Sequence, residues 1–223
     1  MKEANSLEML NQARSLFYHY YIEIHEWEIY DVNHSGICIV KGKEGFMLED
    51  NYDEESIWFL LYLKQIPIGC IRICGVDQNK ILEIEEYANV RRKLKDIFSK
   101  KKQLNLVGFN REVVLPQYGC DQSLLCLLEA PIAYCLQKNR SILTSCVFQE
   151  WYTLYTILGF EELTSAKFKY YETEPHYLDV FFAESMNLLK ILNNIPLLLN
   201  LPASPCLNNL NHISYTKKRN YYD

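Results

Sequence analysis

The sequence predicts one α/β domain built on a central mixed sheet flanked by helices, and three observations carry that prediction. Two β-rich runs, Ile57–Leu63 and Ile66–Ile73, stand on either side of Lys64-Gln65, the spacing of a hairpin. A strand-like run from Leu104 to Leu115 is followed by a short turn and then by a long apolar helical stretch. The segment from Leu7 to His25 repeats apolar residues (Leu7, Leu10, Ala13, Leu16, Phe17, Tyr20, Tyr21) at the spacing of one helix face.

Taken in chain order, the first helix starts behind Ser6, a residue whose hydroxyl can cap a helix, with Glu8 in its first turn. From Glu26 to Glu55 the periodicity is lost, so a long loop with short strands is expected there. The hairpin Ile57–Ile73 forms the centre of the sheet. Ile81 to Lys101 reads as a helix whose last half is basic, and cations are favourable near a helix C-terminus. After the strand Leu104–Leu115 come a turn over Pro116–Asp121 and a helix over Gln122–Lys138 that Pro131 should kink or split. A strand at Ile142–Phe148 precedes a short helix, Glu150–Leu158, stopped by Gly159, a residue suited to a left-handed cap. Strands at Phe168–Glu172 and Tyr177–Ala183 close the sheet, and Met186–Leu201 packs as a helix. The domain spans 1–201, and the Asn-, Pro- and Lys-rich tail 202–223 is expected to be loosely held.

Composition narrows the function classes. A net charge of −5 over 223 residues argues against sequence-independent binding to nucleic acid, which needs clustered Lys and Arg. The 8 cysteines form no Cys-x-x-Cys pair and several sit in apolar runs, as reduced core thiols of a cytoplasmic protein do. The N-terminal segment lacks the apolar stretch of a signal peptide, and Met186–Leu201, the most apolar segment, is interrupted by Lys190, Asn193, Asn194 and Pro196. No transmembrane segment is expected. The 5 histidines show no ligand spacing, so no metal site is expected either.

Two segments carry the chemistry. Asn105 to Gly119 (NLVGFNREVVLPQYG) reads as a strand and the loop before a helix, and Tyr155-Thr-Ile-Leu-Gly159-Phe160 ends the short helix downstream. The pair resembles the fourth strand and cofactor loop, and the Tyr-x-x-x-Gly-Phe ending, of the GCN5-related N-acyltransferase (GNAT) superfamily. The resemblance runs from about Glu49 to Ala183 and implies a GNAT-like fold with a mostly antiparallel sheet. By that likeness Tyr155 would protonate the departing thiolate of an acyl-coenzyme A or acyl carrier protein thioester; a phenol of pKa about 10 suits a thiol near 8.5. The alternative for Tyr155 is a core tyrosine with a satisfied hydroxyl. Strand alternation puts Asn110 and Glu112 on one face, Phe109 and Arg111 on the other, which leaves Glu112 as either the base for an attacking amine or a solvent-facing residue. The resemblance also implies that backbone N–H groups near Val113 and Val114 would hold the oxyanion. The resemblance places the acyl-donor loop at Gln117, Gly119 and Ser123; only one glycine is present in Gln117-Tyr-Gly-Cys-Asp-Gln-Ser123, and Asp121 adds a negative charge, so a carrier-borne phosphopantetheine is one donor to consider.

Within the superfamily, Asp50-Asn-Tyr-Asp53, then Trp58-Phe-Leu-Leu, then Gly69-Cys-Ile-Arg72 resembles the acyl-homoserine-lactone synthases and the related N-acyl amino acid synthases. Arg14, Phe17 and Trp27 resemble their first-helix Arg/Phe and later Trp, with the Arg-to-Phe spacing one residue short, and Asn110-Arg111 resembles their Ser-Arg. Their glutamate three residues before that arginine is Gly108 here. Asp50 and Asp53 could hold an acceptor's ammonium while Arg72 or Arg111 forks onto its carboxylate. The other reading, which can coexist with the first, is a salt-bridge network of Asp50 and Asp53 with Arg14, Arg72 and Arg111 that orders the N-terminal loop. The basic run Arg91–Lys102 is either a solvated helix face or a docking face for an acidic acyl carrier protein. The function expected is N-acyl transfer from a thioester to a small amine or amino acid. An acetyl-coenzyme A-dependent acetyltransferase and a catalytically inactive binding module are the rivals.

Overall fold

The computed structural model describes residues 1–200 apart from 31–32, 44, 147 and 170–176. The expected tail at 202–223, and most of the strand expected at Phe168–Glu172, lie outside the described residues; Phe168 itself makes a single antiparallel bridge to Leu178.

The N-terminal strand β1 (Lys2–Glu3) leads into helix α1 (Leu7–Tyr18), where Ser6 accepts a hydrogen bond from the Met9 N–H as an N-cap. A π-helical turn, His19–Ile24, prolongs it, so the apolar stripe read from the sequence continues through Tyr20. The long loop contains its own hairpin, β2 (Cys38–Lys41) with β3 (Phe46–Glu49), apart from the main sheet. Strands β4 (Ile57–Leu63) and β5 (Ile66–Cys74) pair antiparallel through Lys64-Gln65, whose φ values of 48° and 71° give the left-handed two-residue turn that suits twisted strands.

The helix expected over Ile81–Lys101 is broken into pieces. A 3₁₀ turn at Glu83–Glu86 is followed by α2 (Ala88–Lys93), α3 (Lys95–Ser99) and α4 (Lys101–Leu104), with Tyr87 extended and Leu94 and Lys100 off helical geometry. The cause is tertiary: Glu83 is drawn into a buried ion-pair network, and Lys101 turns inward to Glu85 at 2.8 Å. Strand β6 (Val107–Val114) then runs to a 3₁₀ turn at Pro116–Tyr118 and helix α5 (Asp121–Gln137). Pro131 lies inside α5 without splitting it. The helix buries Leu124, Leu125, Leu127, Leu128, Ile132 and Cys135, and that burial outweighs the roughly 3 kcal/mol an interior proline costs.

Strand β7 (Ile142–Cys146), helix α6 (Gln149–Leu158), strands β8 (Glu161–Glu162) and β9 (Asp179–Ala183), and helix α7 (Leu188–Asn200) complete the chain. The 7-stranded sheet has the order β1-β4-β5-β6-β7-β9-β8, with β6–β7 its one parallel pair. Helices α5, α6 and α7 cover one face, over Phe59, Ile71, Ile73, Phe109 and Phe181. Helix α1 covers the other over Leu60, Cys70 and Val113, and beside it the segment around Leu82, Tyr87 and Val90 covers Cys74, Leu106 and Leu143.

Candidate active site

Two departures from regular sheet geometry build the site. The parallel pairing of β6 with β7 covers only Val107↔Ile142 and Gly108↔Leu143, after which the strands part in a V. On the other edge of β6 the register with β5 slips between Arg72↔Asn110 and Cys70↔Val113, and Arg111 adopts φ 58°, the signature of a bulge with one extra residue. Gly69 opposite belongs to the same feature, because a Cβ there would stand 2.5 Å from the Val113 carbonyl oxygen.

The bulge overturns the simple alternation. Asn110 and Arg111 both turn to the α1 face, where the Arg111 guanidinium lies 4.8 Å from the Phe17 ring centroid. Glu112 is sent to the opposite face, towards Thr144 and Tyr155, instead of sharing a face with Asn110. Glu112 is buried, not solvent-facing.

On the α6 face, the Tyr155 hydroxyl donates to Glu112 Oε1 at 2.8 Å, and the Thr144 hydroxyl donates to the same oxygen at 2.9 Å. Tyr155 is fully buried and packed against Trp151, Phe160 and Phe181. Burial holds its pKa well above the ordinary phenol value, and the neighbouring Glu112 charge raises it further. Burial also raises Glu112, against the hydrogen bonds from Tyr155 and Thr144 and the Arg111 charge, which pull it down. Burial thus disfavours the charged form of both groups, and the tyrosine's proton lies in a hydrogen bond to the Glu112 carboxyl.

The N–H groups expected to stabilise an oxyanion differ in direction. Leu115 N–H donates to the Ile68 carbonyl at 2.9 Å. Because successive N–H groups leave a strand on opposite edges, Val113 faces β5 as Leu115 does, and Val114 turns its N–H to the edge from which β7 has parted. The loop residues Gln117 and Gly119 are exposed at the start of α5, and Ser123 Oγ sits 3.2 Å from Cys120 Sγ.

On the α1 face the structure brings Arg14, Asp50, Asp53, Arg72 and Arg111 into one network, with Glu49, Glu83, Asn110 and Ser35 as further members. Arg72, with no exposed surface, donates to Asp50 at 2.6 Å, Asp53 at 2.7 Å, Glu83 at 3.2 Å and Asn110 at 2.8 Å. Arg111 bridges Asp50 at 2.6 Å and Glu83 at 2.7 Å, while Arg14 joins Asp53 at 3.0 Å to Glu49 at 2.7 Å. Burial pushes the Asp50 carboxyl up, yet Arg72 and Arg111 together hold it well below the ordinary range. Asp53 ends above its ordinary value: burial dominates, and the Asp50 charge adds to it against the pull of Arg72 and Arg14. Of the two arrangements the sequence left open for these residues, the structure displays the ion-pair network.

Glu83 and Thr144 were not legible in the sequence. Glu83 follows Leu82 and precedes Ile84 in a run that reads as a helix, and Thr144 is one polar residue in a strand; only the fold brings them to Arg72 and to Glu112. Burial raises the thiols of Cys70 and Cys146 and moves Cys74 to about 11, which disfavours the thiolate form of these three. Among the described residues no group of three or more His, Cys, Asp or Glu is arranged to hold a metal ion, and no helix is long and apolar enough to cross a membrane.

No family model matches the chain, and no curated protein is recognisably similar in sequence. Solved structures do share its fold. FeeM, an N-acyl amino acid synthase from uncultured soil microbes, superposes with a TM-score of 0.60 at 13% identity, covering 84% of this chain and 90% of its own. BjaI, a CoA-dependent acyl-homoserine lactone synthase solved with SAM and isopentyl-CoA, gives 0.54 at 14% identity over 92% of each chain. MesI, another CoA-dependent acyl-homoserine lactone synthase, gives 0.54 at 14% identity over 89% of each. The chain thus has the GNAT-like acyltransferase fold, in the form that N-acyl amino acid synthases and acyl-homoserine lactone synthases share.

Proposed function

We propose that this protein transfers an acyl group from a phosphopantetheine thioester, carried on coenzyme A or on an acyl carrier protein, to the nitrogen of a small amine or amino acid. The observation that carries the reading is the Glu112–Tyr155 pair beside the opening between β6 and β7. The CoA dependence of BjaI and MesI supports a thioester donor.

In the reaction, the acceptor nitrogen attacks the thioester carbonyl and the Val114 N–H stabilises the oxyanion. Glu112, as the carboxylate, takes the proton that the nitrogen loses as the C–N bond forms. The C–S bond then breaks. Tyr155 gives its proton to the thiolate as Glu112 hands its own to the tyrosine oxygen across 2.8 Å. The relay matters because a tyrosine raised above pKa 10 is by itself too weak an acid for a thiolate whose conjugate thiol is near 8.5. With Glu112–H behind it, the proton comes in effect from a carboxylic acid. The product is an amide and a free thiol, and both residues return to their starting states.

Gln117, Gly119 and Ser123 lie where the donor's pantetheine arm would pass the N-terminus of α5. A carrier protein, if it is the donor, would meet the exposed cations Arg91, Arg92, Lys93, Lys95, Lys100 and Lys102; Lys101 is excluded because it is buried against Glu85. On the acceptor side, the network of Arg14, Asp50, Asp53, Arg72 and Arg111 lies behind Glu83, the one of its charged members that lines the cleft between β6 and β7.

The test is incubation of the purified protein with octanoyl-CoA or octanoyl carrier protein and a pool of amino acids and SAM, read by mass spectrometry and thiol release. Matched amounts of N-acyl product and free thiol are expected with one donor. Neither product nor thiol release with both donors would leave a binding module as the better reading.

A further inference from the structure

The π-helical turn His19–Ile24 carries a half-buried tyrosine, Tyr21, that the acyl-transfer steps do not use. Turns of this kind are frequent at functional sites. The Tyr21 ring centroid is 4.7 Å from that of Phe17, the ring on which the Arg111 guanidinium of β6 rests. On its other side it is 6.3 Å from Phe148, which stands two residues beyond the end of β7. Tyr21 therefore reaches from β6 to β7 across the part of the V where the two strands no longer pair, since their ladder ends at Gly108↔Leu143. Trp27 fixes it there, with ring centroids 5.5 Å apart and its N–H donating to the Tyr21 carbonyl at 2.9 Å.

The electrostatics put the hydroxyl at the same place. Burial raises the Tyr21 phenol, the Glu112 charge raises it further, Arg111 lowers it, and the thiols of Cys70 and Cys146 act on it as well. Those groups stand on β5, β6 and β7, with Cys70 the strand partner of Val113 and Cys146 the last residue of β7. The hydroxyl thus shares the gap between β6 and β7 with the Val114 N–H. Tyr52, Tyr62, Tyr152 and Tyr155 each donate to a neighbouring side chain. The Tyr21 hydroxyl donates to no protein group among the described residues. A donor withdrawn from water without a partner is costly, and a ligand oxygen in the gap would supply the partner.

We propose that the Tyr21 hydroxyl is a second oxyanion donor, bonding the thioester carbonyl oxygen from the α1 side of the V while the Val114 N–H bonds it from the edge of β6. This rests on the acyl-transfer reading. As the C–N bond forms, the carbonyl electron pair moves to the oxygen, and it returns when the C–S bond breaks. Tyr21 keeps its proton throughout, and a phenol raised by burial is suited to that, because it donates without ionising. The nearby Arg111 charge favours the oxyanion. The Glu112 charge opposes it only until Glu112 takes the proton from the attacking nitrogen, which is when the oxyanion develops.

The test compares a thioester with its dithioester analogue, in which sulfur, a weak hydrogen-bond acceptor, replaces the carbonyl oxygen. Wild type and Tyr21→Phe are given the octanoyl donor that supports transfer, on CoA or on the carrier protein, and its dithioester, each with a mixture of amino acids and SAM. Tyr21→Phe should lower kcat on the oxygen thioester about 10²-fold, the scale of one lost oxyanion donor, with KM changed by no more than a few-fold. Its rate on the dithioester should equal that of wild type, which also reports a folded enzyme. Should Tyr21→Phe fail to fold, 3-fluorotyrosine at position 21 decides: its more acidic hydroxyl is a stronger donor and should speed the oxygen thioester alone. An unchanged kcat in Tyr21→Phe, an equal loss on both substrates, or no selective gain with fluorotyrosine overturns the donor role and leaves acyl transfer standing. Absence of any acyl product from wild type with either donor removes acyl transfer and the donor role together.

Discussion

Replacing Arg72 by methionine keeps most of the side chain's volume and removes its charge from a site with no exposed surface. Three carboxylates then lose a donor: Asp50 at 2.6 Å, Asp53 at 2.7 Å and Glu83 at 3.2 Å. Stripping one partner from a buried ion pair costs about 3–5 kcal/mol. Each of the three keeps one arginine, Arg111 for Asp50 and Glu83 and Arg14 for Asp53, which places the loss at the lower end, about 3–4 kcal/mol. For a chain of this size that is a fall in Tm of roughly 6–16 °C. Lysine at the same position restores the charge at one point only and should recover part of the loss. The deficit should also shrink as pH falls. In wild type Asp50, held low by the two arginines, contributes stability that is present above the unfolded carboxylate pKa and lost as the pH drops through its folded value. In the variant the orphaned carboxylates are raised, so protonation relieves them, and their penalty grows as the pH climbs through those raised values. Thermal melts of wild type and Arg72→Met at neutral pH and near pH 5 measure both effects. A variant that melts within about 2 °C of wild type at neutral pH would refute the claim that the network holds this part of the fold together.

The Glu112–Tyr155 relay makes a second prediction. Tyr155→Phe and Glu112→Gln should each lower turnover by about 10²–10⁴-fold. Because burial raises Glu112, the acidic limb of the kcat/KM profile should lie above the ordinary carboxylate value of about 4.3, with activity rising as Glu112 loses its proton, and Glu112→Gln should lack that limb. A wild-type profile flat down to about pH 4 would remove Glu112 as the base. A third concerns the stop of α6. Gly159 sits at φ 91° with open space where a Cβ would go, so Gly159→Ala should cost about 1 kcal/mol for the backbone alone, a Tm lower by roughly 2–4 °C, and Gly159→Asn less.

The elements of the sheet were readable because their signals are local. The run Ile57–Ile73 carries its own alternation and its own turn, and the actual turn at Lys64-Gln65 falls where the polar pair interrupts the apolar residues. Gly159 was readable for the same reason, as the left-handed stop of α6, whereas Tyr155, four residues before it, was picked out by the resemblance to the Tyr-x-x-x-Gly-Phe ending. The stretch Ile81–Lys101 was misread as one helix, and Pro131 was expected to interrupt α5, because each outcome turns on a partner far away in sequence. Lys101 points inward to Glu85, and α5 is held by the sheet it covers.

What the sequence by itself determined is the order of strands and helices and the placing of acids, bases and a tyrosine along them, since periodicity and turn chemistry act over a few residues. The tertiary structure alone decided which of those groups meet. One extra residue at Arg111 reverses the faces of β6 beyond it, sending Glu112 to Tyr155 and Arg111 to Asp50 and Glu83. A bulge is set by the pairing of two strands, β5 against β6, so alternation along a single strand gives no sign of it.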